Sequence, residues 1–244
     1  MEKSKLILFL ILSFNYQIIA QVNSTRAFYG KSIIARAIDN NDDQALKEAL
    51  AFTYKNLTEN MKDVEYELIF NKNESFFKAV EKLEMNNNYN LAVIWEEGGA
   101  LVYTNRKEII KQKEEEDKLY LIYSCVEDYN WKLEKETKQI GKYLCYKATT
   151  IKKMKNSKGE FKKLVEAWYA PEIPFSFGPA GYVGLPGLIL ELKIADITLF
   201  LTKLEFNPKK KVSIKKLEKG KRISEEDYEK MINDNAMNFF FNEN

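Results

Sequence analysis

Along most of this chain, apolar and polar residues alternate at a period of two, which fits an extended strand and no helix. Val64, Tyr66, Leu68 and Phe70 form one such series. Leu119, Leu121, Tyr123 and Cys125 share one face of another. Leu91 to Trp95 and Ala100 to Thr104 flank Glu96-Glu97-Gly98-Gly99, a hairpin signal. Residues 131–137 and 142–150 flank Lys138-Gln139-Ile140-Gly141, a second hairpin signal. Residues 164–169 read as a strand. Leu188, Leu190, Leu192 and Ile194 alternate against Ile189, Glu191 and Lys193, and Ala195-Asp196 turns the chain into residues 197–206. Val212 and Ile214 alternate with lysines, the pattern of a protected edge strand. Short links between consecutive strands predict a mainly β (α+β) fold, with one curved antiparallel meander sheet, open or half-closed into a barrel.

Two helices are expected beside the sheet. One is a short N-terminal helix over residues 42–57, with Ala45, Leu46, Ala49 and Leu50 on one face and Asp42-Asp43 at its positive end. The other is C-terminal. Ser224-Glu225-Glu226-Asp227 resembles a capping box, and Tyr228, Met231 and Ile232 follow at helical spacing toward Phe240. The charged run at residues 107–118 fits either a helix or a hairpin, with its charges in solvent.

Residues 1–20 read as a secretory signal: Lys3 and Lys5 precede the apolar run LILFLILSF, and Ala20 precedes a cleavage point at Gln21. That run is about half the ~20 residues of a spanning helix, and no later uncharged stretch is long enough. The expected organisation is a signal at 1–20 and a single β-rich domain at 21–244, exported to the periplasm, the outer envelope or the medium, with no transmembrane span after signal removal. Export places Cys125 and Cys145 in an oxidising compartment, where two readings stand. They form a bridge, constraining the unfolded chain by roughly 3 kcal/mol, or they are two free thiols.

Composition limits the chemistry. The 244 residues include no histidine, which removes imidazole acid–base catalysis, histidine-dependent triads and His-ligated metals. A net charge of +2 gives no general excess for nucleic acid. The tract Asp39-Asn40-Asn41-Asp42-Asp43 lacks the glycine and distal glutamate of a calcium loop and reads as a turn. No metal and no cofactor is expected.

Four of the five prolines (Pro171, Pro174, Pro179, Pro186) and four of the ten glycines (Gly178, Gly181, Gly184, Gly187) fall within residues 171–187. Proline fixes φ and removes a donor, while glycine reaches φ values other residues avoid. The segment is therefore neither helix nor regular strand but an ordered loop. Trp168, Tyr169, Phe175, Phe177 and Tyr182 decorate it as candidate binding residues. They either pack onto the sheet as a lid or face outward as a binding surface.

The runs Ala167-Trp168-Tyr169-Ala170-Pro171-Glu172-Ile173-Pro174, Phe177-Gly178-Pro179 and Gly184-Leu185-Pro186-Gly187-Leu188-Ile189 resemble the GLPGLI family of exported proteins of Bacteroidetes-type bacteria. Trp131-Lys132-Leu133, Glu136-Thr137-Lys138, Ile140-Gly141 and Tyr143-Leu144-Cys145-Tyr146-Lys147-Ala148 resemble its upstream block. The resemblance spans roughly residues 60–240 and implies a bacterial host, which weakens Asn23-Ser24-Thr25 and Asn56-Leu57-Thr58 as glycosylation sites. It implies no activity.

Two functions compete. The first is a non-enzymatic protein that binds an apolar ligand on the concave side of the sheet, or an envelope protein partner. The second is a carboxylate-dependent envelope hydrolase using Glu166, Glu172 and Glu191 near the loop, or Glu127 and Asp128. Carboxylates converging in a cleft would mark the second.

Overall fold

The computed structural model describes residues 24–33, 44–80, 99–156, 159–209 and 212–232. The proposed signal at 1–20, the Asp39–Asp43 tract, the strand at 91–95 with residues 96–98 of its turn, and the helix beyond residue 232 lie outside them. So do the side chains of Ala45, Leu46, Ala49 and Leu50.

Strand β1 (Thr25–Ile33) precedes helix α1 (Gln44–Met61). β2 (Glu65–Phe70), β3 (Glu74–Ala79), β4 (Leu101–Asn105), β5 (Glu108–Glu115) and β6 (Lys118–Cys125) follow. Then come β7 (Lys132–Ile140), β8 (Tyr143–Asn156), β9 (Gly159–Ala170), β10 (Leu188–Ile194), β11 (Ile197–Phe206) and β12 (Lys221–Ser224), with helix α2 over residues 225–232. Among the described residues these twelve strands form one mostly antiparallel sheet, in the order β12-β6-β5-β4-β3-β2-β1-β11-β10-β9-β8-β7.

That order differs from the single meander the sequence suggests. Two meanders, β2 to β6 and β7 to β11, are joined because β1 inserts between them, pairing with β2 and β11. The order also requires curvature. β6 and β7 stand ten strand positions apart, about 48 Å in a flat sheet. Only residues 126–131 connect them, and a link of that length reaches at most about 25 Å. The sheet therefore curls until its two ends approach, giving an open half-barrel with its main core on the concave side.

The charged run at 107–118 belongs to the β5–β6 hairpin, whose two turn residues, Glu116 and Asp117, have φ of 50° and 60°. Both positive values match the turn that fits the right-handed twist of paired strands. Val212 and Ile214 are not in a strand. Residues 212–219 cross the outer face instead, where Ile214 and Leu217 pack against Tyr103, Ile110 and Leu121. The actual edge strand is β12, which runs parallel to β6. α2 then turns to the inner face, where Tyr228 joins Tyr120 and Ile122. Its N-terminus is capped as the sequence predicts: the Asp227 amide donates to Ser224 Oγ at 3.0 Å.

The proposed disulfide is not present. Cys125 ends β6 and Cys145 lies on β8, strands that are not neighbours, and both thiols are free.

Candidate functional site

Residues 171–187 leave β9, fill the inside of the half-barrel and return into β10. Their burial alternates over the first stretch. Ile173, Phe175 and Phe177 point inward, while Pro174 and Ser176 face solvent. The four prolines cannot donate, and several of the remaining backbone amides find partners within the loop and at its return. Ile173 donates to Ala170 O at 3.0 Å, Gly184 to Ser176 O at 3.1 Å, Leu188 to Ile173 O at 2.9 Å and Ile189 to Phe177 O at 3.0 Å. The loop reaches the opposite meander. Phe70 of β2 meets Phe175 edge-on with ring centroids 5.1 Å apart, and Gly181 lies against Val102 and Ile109. Tyr182 packs against Tyr129 and Trp131 of the link between β6 and β7, and the Trp131 indole donates to Val183 O at 2.7 Å.

The five aromatics singled out by sequence do not form one surface. All five are buried. Tyr169, Phe175, Phe177 and Tyr182 all belong to the main core, and Tyr169 also packs on Tyr146. Trp168 alternates with inward Ala167 and so lies on the convex face, covered by Lys138 and Lys147 at 4.5 and 5.8 Å from a ring centroid. Pro171, Pro174, Gly178, Pro179, Pro186 and Gly187 shape the loop. Gly178 has Ile189 and the Tyr182 carbonyl where a Cβ would stand.

The carboxylates do not converge. Glu166 pairs with Lys147 at 3.1 Å and accepts from the Trp168 indole at 3.1 Å. Burial pushes its carboxyl up, but these two donors outweigh that and hold it below the usual carboxylate range. Glu191 pairs with Lys138 at 2.6 Å, and Asp128 accepts from the Cys125 amide at 2.8 Å. Glu172 and Glu127 are exposed. Among the described residues no group of three or more acidic or cysteine side chains is placed to hold a metal.

Among the described residues, the chain's own loop fills the concave side and open space remains at its mouth. A cleft of about 610 Å³ is lined by Pro174 to Phe177, Val183, Gly184, Val126 of the link, and Lys72, Asn105 and Arg106. Of the residues expected from sequence, Phe175, Phe177, Pro174 and Gly184 contribute. The last three lining residues were missed, although the chain carries a signal for them. Asn71-Lys72-Asn73-Glu74 and Asn105-Arg106-Lys107-Glu108 repeat one pattern: asparagine, cation, a polar residue, glutamate. Each forms the same turn. Asn71 Oδ1 accepts from the amides of Asn73 and Glu74 at 2.7 and 3.1 Å. Asn105 Oδ1 accepts from those of Lys107 and Glu108 at 2.8 and 3.0 Å. Glu74 is paired with Asn105 across β3 and β4, so the two turns stand side by side.

Fold and cleft define a β half-barrel whose interior is plugged by its own loop and whose mouth is open. A model of a family described as a protein of unknown function, Porph_ging, matches residues 131–163 and 152–191, in agreement with a Bacteroidetes-type family. No curated protein matches. Among solved structures, PNGF-II is similar at 14% identity and a TM-score of 0.49 over 86% of this chain. The chain spans about a third of that protein's length, 33%. An uncharacterized conserved protein from Thermus thermophilus is similar at 8% identity and a TM-score of 0.36, over 86% of this chain and 98% of its own. The Mycobacterium tuberculosis lipoprotein LppX is similar at 9% identity and a TM-score of 0.28, over 81% and 93% of the two chains.

Proposed function

We propose that this chain is an exported, non-enzymatic binding or accessory protein that holds its ligand or partner in the mouth cleft. The observation that carries this reading is the cleft itself: about 610 Å³, within the ~300–1,000 Å³ span of small-molecule sites. Its loop wall is held by backbone hydrogen bonds and buried aromatics, so the shape stands ready before anything binds. Filling of the concave side moves the ligand from the interior to the mouth. The hydrolase reading loses support, because none of Glu127, Asp128, Glu166, Glu172 and Glu191 lines the cleft and two of them are consumed in ion pairs. Export rests on the character of residues 1–20, and among the described residues no helix is long and apolar enough to cross a membrane.

Ser176 is exposed on the cleft wall, so Ser176→Trp fills the cleft without entering the core. Native mass spectrometry of protein purified from the exported fraction of its host tests the reading. The wild type is expected to carry a bound species that Ser176→Trp lacks. The same species on both proteins would place binding elsewhere.

A further inference from the structure

We infer that the mouth cleft takes an anionic amphiphile: a carboxylate or phosphate head set between Lys72 and Arg106, with an apolar tail against Val126, Phe175, Phe177 and Val183. This rests on the cleft being the binding site and adds the class of ligand. Three observations lead to it.

The first is the repeated turn. The same turn built twice on adjacent hairpins puts a cation at the same position each time. Both cations, Lys72 and Arg106, line the cleft. The second concerns the acid that each turn also carries. Glu74 accepts from the Tyr103 hydroxyl at 2.8 Å and from Asn71 Nδ2 at 3.5 Å. Glu108 is bound by Lys216 and accepts from Asn105 Nδ2 at 3.3 Å. Both carboxylates are thus drawn into their own turns and the outer face, and neither lines the cleft. The third is the rest of the lining, which is apolar apart from the small Ser176. A lining that combines two cations with hydrocarbon describes a ligand with the same two parts. A guanidinium matches both candidate heads, since it binds carboxylate and phosphate with paired donors.

The test is calorimetric titration with decanoate, decyl phosphate and decanol, each below its aggregation concentration. The two anions are expected to bind, and decanol at least tenfold more weakly. Preference between the anions identifies the head as a free carboxylate or a phosphate. Lys72→Ser/Arg106→Ser should weaken the anions tenfold or more and leave decanol unchanged. Lys107→Gln, at an exposed cation of the same turn outside the cleft, should leave the melting temperature unchanged and weaken the anions far less than the double variant does. Salt provides a check that needs no variant: raising it should weaken the anions alone. The inference is overturned if decanol binds as well as the anions, if neither anion binds, or if the double variant binds them like the wild type. Loss of the native species with Ser176→Trp but not with the double variant would leave the cleft as the site and remove only the anionic head.

Discussion

Cys145 is fully buried on β8, where loss of water around the sulfur pushes its thiol up to about 11, against a smaller downward pull from Lys138. The thiolate is the reactive form, so burial protects this cysteine twice, by access and by protonation. Cys125, at the exposed end of β6, has no such cover. Alkylation at pH 8 should therefore modify one thiol per folded molecule, mapped to Cys125 by peptide mass, with Cys145 modified only after denaturation. Reductant should leave the melting temperature unchanged. A drop of several degrees would restore the bridge that the sequence suggested. Residue type did not predict these fates, because cysteine spacing carries no information about which strands become neighbours. The same limit applied to Trp168. It sits beside a loop full of aromatics, yet strand alternation turns it to the other face, beneath two lysine stems.

Among elements, the strands most legible in the sequence were those whose large apolar residues recur at every second position. β2, β6, β10 and β11 all do so; in β10 and β11 burial follows that period over part of the strand, while β2 and the middle of β6 are buried on both faces. β1 alternates just as regularly in burial, but its inward positions are Thr25, Ala27, Tyr29 and Lys31. Small or polar residues serve there, with Lys31 donating to the Tyr66 hydroxyl, and hydropathy alone misses them. Residues 212–219 show the converse: an alternating stretch that packs by side chains without joining the sheet. The loop at 171–187 was legible as ordered, and its glycines now have separate reasons. Gly187 is required by space. A Cβ there would stand 2.3 Å from Ala170 O and 2.6 Å from its carbonyl carbon, so backbone would have to move. Gly184 is required by conformation, with φ of +93° and its nearest neighbour, Trp131, at 3.8 Å. Gly187→Ala should cost about 3 kcal/mol or more by overpacking. Gly184→Ala should cost about 1–2 kcal/mol through its φ. Urea midpoints of the two variants check the order, and equal or reversed losses would refute this division.

At the scale of the molecule, the link at 126–131 and the loop at 171–187 hold the curled sheet together from inside. The link spans the two ends of the sheet, and the loop joins the two meanders across the interior. They meet at Trp131. Its indole donates to Val183 O at 2.7 Å, and its ring lies 6.0 Å from Tyr129 and 6.4 Å from Tyr182 by centroids. Neither element has strand pairing of its own to fall back on, so this contact carries more of their order than its size suggests. Trp131 is only partly buried, so its truncation should cost less than the ~3–5 kcal/mol of a fully buried aromatic; about 2–3 kcal/mol is expected. Trp131→Phe keeps most of the ring packing but strands the Val183 carbonyl, for about 1 kcal/mol. The effect should also be local. In Trp131→Ala, amides with loop partners, such as Gly184 and Tyr182, should exchange with deuterium faster than in the wild type. Amides of β1, β2 and β11 at the sheet's centre should follow only the global stability. Uniform acceleration over the whole sheet would mean that Trp131 contributes to the core at large, and that the loop is held by the barrel alone.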